Sequence, residues 1–178
     1  DILMIDMPWL PYFAGIGSLL NISDIVSNSK YFDSSNYIED IFESYCSYNG
    51  DIYGLPFMPG TQILFYRRDL FNNREIRKSF ARMYDAELQP PRSWVEFNTV
   101  AKFFTREFNS ESPVMYGTTM AAKLPTYVTN EFCPRKWAYN ARAFDEHGNV
   151  VINSSESLNA LKNFIQSYNY APAWAIDN

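Results

Sequence analysis

An acidic and an aromatic residue, Asp6 and Trp9, follow a short apolar run at the start of the chain. The run, residues 1–6, is bounded by acids, and its length predicts a buried β-strand. Ligands of open α/β sheets bind beyond the carboxyl ends of the strands. A carboxylate accepts hydrogen bonds from hydroxyl groups, and an indole ring stacks on the C–H face of a sugar. We therefore predict that Asp6 and Trp9 contact a ligand, with packing of Trp9 on the protein surface as the equal alternative.

Groups that could catalyse a reaction do not converge in this sequence. The single histidine, His147, lies in a predicted turn beside Gly148, and no nearby serine or cysteine forms a nucleophile and base pair. Glu39 and Asp40 are adjacent on a predicted helix, so their side chains point apart. The glycines match neither a P-loop nor a dinucleotide-binding fingerprint. We expect no catalysis and no cofactor.

The two cysteines, Cys46 and Cys133, form no Cys-x-x-Cys motif and no cluster with histidine. Structural metal sites need such spacings, so we predict no metal site. The sequence leaves a disulfide between the two cysteines open, although we do not expect one.

The composition is that of a globular chain with two differently charged parts. Its 178 residues are 47% hydrophobic and 17% aromatic, and the net charge is −5. An acidic chain lacks the basic patch that neutralises phosphates, so we expect no nucleic-acid partner. Residues 1–60 contain one lysine against eight acids, whereas residues 61–178 contain fourteen basic and twelve acidic residues. This asymmetry is typical of two lobes.

No apolar stretch reaches the roughly 18 residues that cross a bilayer, and the first residues do not resemble a signal peptide. We interpret the sequence as a mature or trimmed segment of a longer protein.

The spacing of apolar residues predicts several helices. The clearest follows Ser93, which forms a capping box with Glu96 ahead of apolar residues at intervals of three or four. Asn153 with Glu156 is predicted to cap another helix, which Ala171-Pro172 ends. Further helices are predicted in residues 10–20 and 36–48, and from Pro125 onward.

Short strands are predicted between these helices. Residues 1–6, 63–66 and 114–116 have strand-like composition, and residues 145–149 are predicted to form a hairpin turn. Asn49-Gly50-Asp51 is predicted to stop the preceding helix with a turn. Alternation of helices and strands favours α/β layers over a helical bundle.

Four segments form an ordered set of motifs. Residues 1–20 contain an apolar strand, a Pro-Trp loop and a Gly-x-Leu helix end. Residues 48–71 contain Tyr-x-Gly-x-x-Tyr-Gly-Leu-Pro, then Leu-Phe-Tyr-Arg-Arg-Asp-Leu-Phe. Residues 90–96 contain Pro-x-Ser-Trp-x-Glu, and residues 144–161 contain Phe-Asp-x-x-Gly-x-Val-x-x-Asn-Ser-x-Glu. In this order the segments resemble family 1 extracellular solute-binding proteins, the group that contains the maltose- and trehalose-binding proteins.

The resemblance implies a two-lobed α/β fold of the type II periplasmic-binding-protein kind, of which this sequence is a partial chain. Residues 1–58 would belong to the first lobe, residues 59–62 would cross between the lobes, and residues 63–178 would form part of the second lobe. Pro59-Gly60 joins a fixed φ to a permissive one, which suits a hinge. From the residues alone, an irregular strand entry is the preferred explanation.

The resemblance also implies ligand contacts in a cleft between the lobes. By position in the family pattern, Gly60, Thr61 and Gln62 lie on the cleft floor. In the second lobe, residues 118–127 match a region that supplies an aromatic side chain to the sugar, and Tyr127 is the predicted residue.

Further contacts are predicted in residues 63–178. Met120 and Asn140 are predicted to contact the ligand, with core packing or helix capping as the alternative for each. Trp137, Arg142 and Trp174 also suit the cleft lining.

The function that the resemblance implies is solute binding for an ABC importer. We expect a monomeric, extracytoplasmic protein, either periplasmic or a cell-surface lipoprotein, that delivers a mono- or oligosaccharide to a permease. The alternatives are a transferase-like enzyme on the same bilobal fold and a ligand-sensing domain of a receptor. Peptides and polyamines stay open as ligands.

A group of basic residues follows the predicted crossing. It could meet the transporter or an anionic surface, but a solvated helix face is the preferred explanation. Its members are Arg67, Arg68, Arg74, Arg77, Lys78 and Arg82.

Overall fold

The computed structural model describes residues 1–58, 60–123 and 125–176, without the side chains of Ser34, Glu39 and Ile176. The chain divides into two units, Asp1–Leu64 and Phe65–Asn178. The predicted lobe boundaries stay a prediction, and Pro59 of the predicted crossing lies outside the described residues. Each unit is described by itself.

Short helices make up most of the first unit. A 3₁₀ turn at Met7–Trp9 leads into α1 (Leu10–Gly15), followed by α2 (Ser23–Asn28), a 3₁₀ turn at Ser34–Asn36 and α3 (Glu39–Cys46). Pro8 and Pro11 occupy first turns, where a missing N–H leaves no helical bond unmade. The helices predicted in residues 10–20 and 36–48 are confirmed, but both are shorter than predicted. The predicted divergence of the Glu39 and Asp40 side chains lies outside the described residues.

A two-residue hairpin follows α3. Strand β1 (Ser47–Tyr48) pairs antiparallel with β2 (Asp51–Ile52), so that Ser47 faces Ile52. Asn49 and Gly50 between them have φ values of 53° and 87°. Two successive left-handed residues match the strand twist, and Asn-Gly is the preferred pair for such a turn. The turn predicted at residues 49–51 is confirmed.

The interior of the first unit is small. Leu10, Ala14 and Cys46 are its buried residues in the described part of the chain. A methyl group on Gly15 would lie 3.3 Å from the Tyr48 hydroxyl, so α1 packs closely against β1. Burial raises the pKa of the Cys46 thiol to about 11, because an apolar surrounding disfavours the thiolate.

The buried strand predicted in residues 1–6 is wrong. These residues form no regular structure, and Ile2, Leu3 and Met4 are exposed by 64% or more. A strand needs a neighbour to bond its backbone groups. In the described residues of the first unit, the ladder joins only β1 and β2.

The second unit is built from longer helices. In chain order they are α4 (Arg68–Phe71), α5 (Arg74–Tyr84), α6 (Trp94–Phe104), α7 (Thr126–Ala138), α8 (Ser155–Tyr168) and a 3₁₀ turn at Ala173–Ile176. In the part of the chain that the structure describes, no helix combines the length and the apolarity of a membrane span.

Side-chain caps begin three of these helices. The Asn73 side chain accepts hydrogen bonds from two N–H groups of α5, and Ser93 accepts one from Glu96 N in α6. Glu96 in turn accepts from Arg92 N at 2.7 Å, one residue before the position that a capping box uses. Ser154 caps α8, one residue after the predicted Asn153.

The remaining predicted helix and turn are confirmed. Helix α7 begins after Pro125, as predicted. The Asp145 carboxylate accepts hydrogen bonds from His147 N and Asn149 N at 2.9 and 2.8 Å, and Phe144 bridges Val150 across the turn. Hydrogen bonds from Asn149 and His147 hold the pKa of Asp145 below its usual value.

The strands predicted at residues 63–66 and 114–116 are wrong. Residues 63–66 have no regular structure, and each of their side chains is at least 48% exposed. Residues 114–116 form no strand either. Directly after them, Gly117 N and Thr118 N both donate to Tyr170 O, at 3.0 and 3.1 Å. A carbonyl that accepts two adjacent N–H groups breaks the alternation that a strand ladder requires.

Two apolar clusters form the core of the second unit. In the first cluster Phe80 of α5 packs on Phe103 and Phe104 of α6, with Leu88 from the segment between the two helices. The ring centroids of Phe80 and Phe103 are 5.0 Å apart. Met120, Phe164, Ala171 and Ala175 form the second cluster, on α8 and the segments beside it.

The predicted basic group lies on α4 and α5, except for Arg67, which directly precedes α4. Several members make exposed ion pairs with neighbouring acids: Arg67 with Asp69, Arg77 with Glu87, and Lys78 with Glu75. Exposed pairs of this kind contribute little stability. The arrangement is that of a solvated helix face.

Candidate ligand-binding site

Asp6 and Trp9 lie on one turn of the first unit. The Asp6 carbonyl oxygen accepts a hydrogen bond of 2.9 Å from Trp9 N–H, which closes the 3₁₀ turn. The Asp6 side chain caps no N–H of that turn, and the Trp9 side chain is 54% exposed. The structure therefore brings these two predicted residues together, with the indole ring open to solvent.

Gly60, Thr61 and Gln62 lie near the end of the same unit and are all exposed. A methyl group on Gly60 would meet no atom within 4 Å, and its φ lies outside the left-handed region. The permissive φ that suggested a hinge is therefore not used in this conformation. The open surroundings leave the Gly60 backbone accessible to a ligand.

Tyr127 lies in the first turn of α7 in the second unit and is 52% exposed. The loop before it is held in place at two points. Ala121 N donates to the Glu131 carboxylate at 3.2 Å, and Ala122 N donates to Ala175 O at 3.0 Å. Both anchored residues precede Tyr127 in the chain, and the Tyr127 ring itself is open to solvent.

Met120 and Asn140 occupy structural positions. Met120 is 7% exposed and packs in the cluster with Phe164. Asn140 follows α7 with a left-handed φ of 58°, and Ala141 N reaches back to Lys136 O at 2.9 Å. This pattern is that of a helix C-cap. Core packing and helix capping were the alternatives for these residues, and a ligand contact stays a prediction for each.

The other three residues that suit a cleft lining are all on the surface. Trp137 and Trp174 are 65% and 57% exposed, and Arg142 is also exposed. They lie in the second unit, as Tyr127 does.

One residue that sequence reasoning overlooked is Arg135, a cation that is 1% exposed. Its guanidinium lies over the Trp94 ring at 4.2 Å and near the Phe164 ring at 5.2 Å. It donates to Ser167 Oγ and to the Asn163 side chain, while Nε has no hydrogen-bond partner among the described residues. Burial lowers its pKa to about 10, so it stays protonated at neutral pH.

Arg135 is part of a polar layer between α6, α7 and α8. Ser167 donates to Asn98 Oδ1 at 2.6 Å, and Asn98 Nδ2 donates to Asn163 O at 2.9 Å. The signal in the sequence was polar residues at helical spacing, Asn98 on α6 and Asn163 with Ser167 on α8, which an apolar periodicity does not reveal.

Comparison with known proteins identifies the family. The family model for bacterial extracellular solute-binding proteins matches residues 1–176. The chain belongs to this family. The resemblance carried by the four ordered motifs is thereby confirmed.

A solved member of this class has the same fold. It is an ABC transporter solute-binding protein from Agrobacterium radiobacter K84, crystallised in complex with ribitol. The two chains are 18% identical and superpose with a TM-score of 0.69 over 98% of this chain. This 178-residue chain spans only 40% of the length of the Agrobacterium protein. The fold prediction, a partial α/β chain of the periplasmic-binding-protein type, is confirmed.

Proposed function

We propose that this chain is part of the solute-binding component of an ABC importer and that its ligand is a carbohydrate or polyol. The match of the family model to residues 1–176 is the observation that carries the proposal. The related protein from Agrobacterium radiobacter K84 holds ribitol, a polyol, and has the same fold.

Exposed aromatic residues support a carbohydrate or polyol as the ligand. Trp9 in the first unit and Tyr127 in the second are both about half exposed, at 54% and 52%. Large rings that are open to solvent can stack on the C–H faces of a sugar, and Asp6 can accept its hydroxyl groups. A ligand held between two lobes, with residues 59–62 as the crossing, rests on family membership.

The proposed setting follows from the family as well. Members are extracellular, so the protein would act outside the cytoplasm, either in the periplasm or as a lipoprotein on the cell surface. Its macromolecular partner would be the importer's permease, and it would act as a monomer that binds without chemical turnover.

Ligand titration tests the proposal directly. The complete protein is mixed with a panel of monosaccharides, oligosaccharides and polyols, and binding is read from tryptophan fluorescence and thermal unfolding. A ligand at a hundred times its Kd stabilises the folded state by about 2.7 kcal/mol. We expect such stabilisation from at least one member of the panel. Stabilisation by none of them, or conversion of a ligand to product, would contradict the proposal.

Single substitutions then test the named residues. Trp9→Ala and Tyr127→Ala should each weaken binding about tenfold or more, because each removes an aromatic stacking surface. Tyr31→Ala is the matched control, since Tyr31 is 89% exposed and is not a predicted contact. Equal affinity in all three variants would remove Trp9 and Tyr127 from the site.

A further inference from the structure

The second unit contains a cavity between α6 and α8 that the proposed function does not use. Its volume is about 490 Å³, within the range of small-molecule sites, roughly 300–1,000 Å³. One wall comes from α6, with Asn98, Thr99 and Lys102, and the other from α8, with Lys162 and Gln166 among its residues. These positions recur at three or four residues, so each helix turns one polar face toward the cavity.

The charge of this cavity is positive. Lys102 and Lys162 line it, and no aspartate or glutamate is among its described lining residues. In the described part of the chain neither lysine makes an ion pair, and Lys102 Nζ lies 5.8 Å from the Phe108 ring. Buried Arg135 lies behind the wall, bonded to Asn163, which also lines the cavity. Two lysines in a lining without a carboxylate attract an anion.

The rest of the lining suits hydroxyl groups. Gln166 donates from Nε2 to the Tyr170 hydroxyl at 3.1 Å, and Tyr84, Tyr139 and Tyr170 stand around the cavity. Carboxamides and phenols both donate and accept hydrogen bonds, and the rings offer apolar faces. A ligand with one carboxylate and several hydroxyl groups meets both features.

We propose that the cavity between α6 and α8 binds a small polyhydroxylated carboxylate, of which an aldonate is the simplest example. The carboxylate lies between Lys102 and Lys162, and the hydroxyl groups face Gln166 and the tyrosines. Asp6, Trp9 and Tyr127 are not among the described residues that line this cavity, and the proposal does not depend on the proposed function.

Titration with sodium gluconate tests the site in the complete protein. Sorbitol is the matched ligand without the charge, and acetate is the matched ligand without the hydroxyl groups. We expect gluconate to bind about tenfold more tightly than either, because a charge-assisted bond and several hydroxyl contacts act together. Binding should weaken as salt is raised. Absence of gluconate binding, or equal affinity for sorbitol, would overturn the proposal.

Two variants locate the site. Lys102→Gln and Lys162→Gln should each weaken gluconate binding about fivefold, and the double variant more than tenfold. Both lysines are exposed, so the fold should persist. Lys78→Gln on α5 is the matched control and should change the affinity less than about twofold, since Lys78 is paired with Glu75. Unchanged gluconate affinity in the double variant would overturn the site.

The affinities of the same variants for gluconate and for a neutral sugar distinguish this site from the proposed carbohydrate site. The double lysine variant should keep its affinity for any neutral sugar found in the panel, and Trp9→Ala should keep its affinity for gluconate. In NMR spectra, gluconate should shift the side-chain amide signals of Asn98 and Gln166. Loss of gluconate binding in Trp9→Ala would place gluconate at the other site and refute the proposal.

Discussion

The two units differ in how many side chains they bury. In the described residues of the first unit, only Leu10, Ala14 and Cys46 are buried. The second unit buries two clusters rich in aromatic and apolar residues and, between its helices, a polar layer that contains Arg135. The first unit therefore depends on local turns and short contacts, whereas packing specifies the second. A change of side-chain volume should therefore cost less free energy of unfolding in the first unit than in the second.

Two glycine substitutions give the largest expected contrast. A methyl group on Gly117 would lie 1.7 Å from Ala101 O, a backbone atom at the end of α6. Because backbone cannot move aside as a side chain can, Gly117→Ala should destabilise the second unit by about 4 kcal/mol or prevent folding. Urea unfolding and expression yield measure the effect.

Gly60→Ala is the matched substitution in the first unit. No atom lies within 4 Å of the added methyl group, so the free energy of unfolding should change by less than about 0.5 kcal/mol. If both variants have the same free energy of unfolding, the close approach at Gly117 does not determine stability, and the contrast between the units is refuted.

The buried cation gives the next largest effect. Arg135→Ala removes the contacts with Trp94 and Phe164 and a donor to Ser167, so it should destabilise by about 3–4 kcal/mol. Arg135→Met keeps most of the volume and removes a desolvated charge, so its cost should be about 1–2 kcal/mol. Thermal and urea unfolding compare the two variants.

An exposed cation in the first unit serves as the control. Lys30 lies over the Tyr31 ring at 5.0 Å and is exposed. Lys30→Ala should therefore cost less than about 0.5 kcal/mol. A loss as large as that of Arg135→Ala would show that burial does not separate the two cations.

The smallest of the three contrasts between the units is a pH dependence in the first unit. The Cys46 thiol has a folded pKa of about 11 against an ordinary value of 9.0. Below pH 9 both states hold the proton, and as the pH rises toward 11 the unfolded state releases it first. Folding stability should therefore fall by about 2 kcal/mol across this window.

Cys46→Ala isolates this contribution from the tyrosines that titrate nearby. Urea unfolding at pH 8 and pH 11 should give a larger loss for the parent protein than for the variant. Equal losses would mean that the thiol gains no proton affinity on folding, and that burial in the first unit is looser than the structure indicates.

Local signals made much of the helical structure predictable. Ser93 and the apolar spacing behind it identified α6, and Asn49-Gly50 identified a turn after α3, because caps and turns are properties of neighbouring residues. That this turn joins two strands was not predicted. The bounds of helix α5 were not predicted, although its basic residues were interpreted as a solvated helix face. Ile76, Phe80 and Tyr84 at intervals of four carried the signal.

Strands were not predictable in the same way. Residues 1–6 and 63–66 have the composition of strands, but strand pairing depends on partners that are distant in sequence. In the described residues these segments have no ladder, and their apolar side chains are exposed.

In the candidate site, too, features set by neighbouring residues were predictable and features set by tertiary packing were not. That Asp6 and Trp9 share a turn follows from a separation of three residues. The left-handed backbone of Asn140 and the burial of Met120 depend on the packed second unit. Arg135 was missed because arginine is almost always exposed, and only its three-dimensional surroundings explain its burial.

Burial of Cys46 also has a chemical consequence. The thiolate is the form that oxidants attack. Because burial raises the pKa of the Cys46 thiol to about 11, a smaller fraction of it is ionised at neutral pH than of an exposed thiol. In an oxidising compartment such as the proposed extracytoplasmic one, this cysteine can persist unmodified without a disulfide partner for as long as the first unit stays folded.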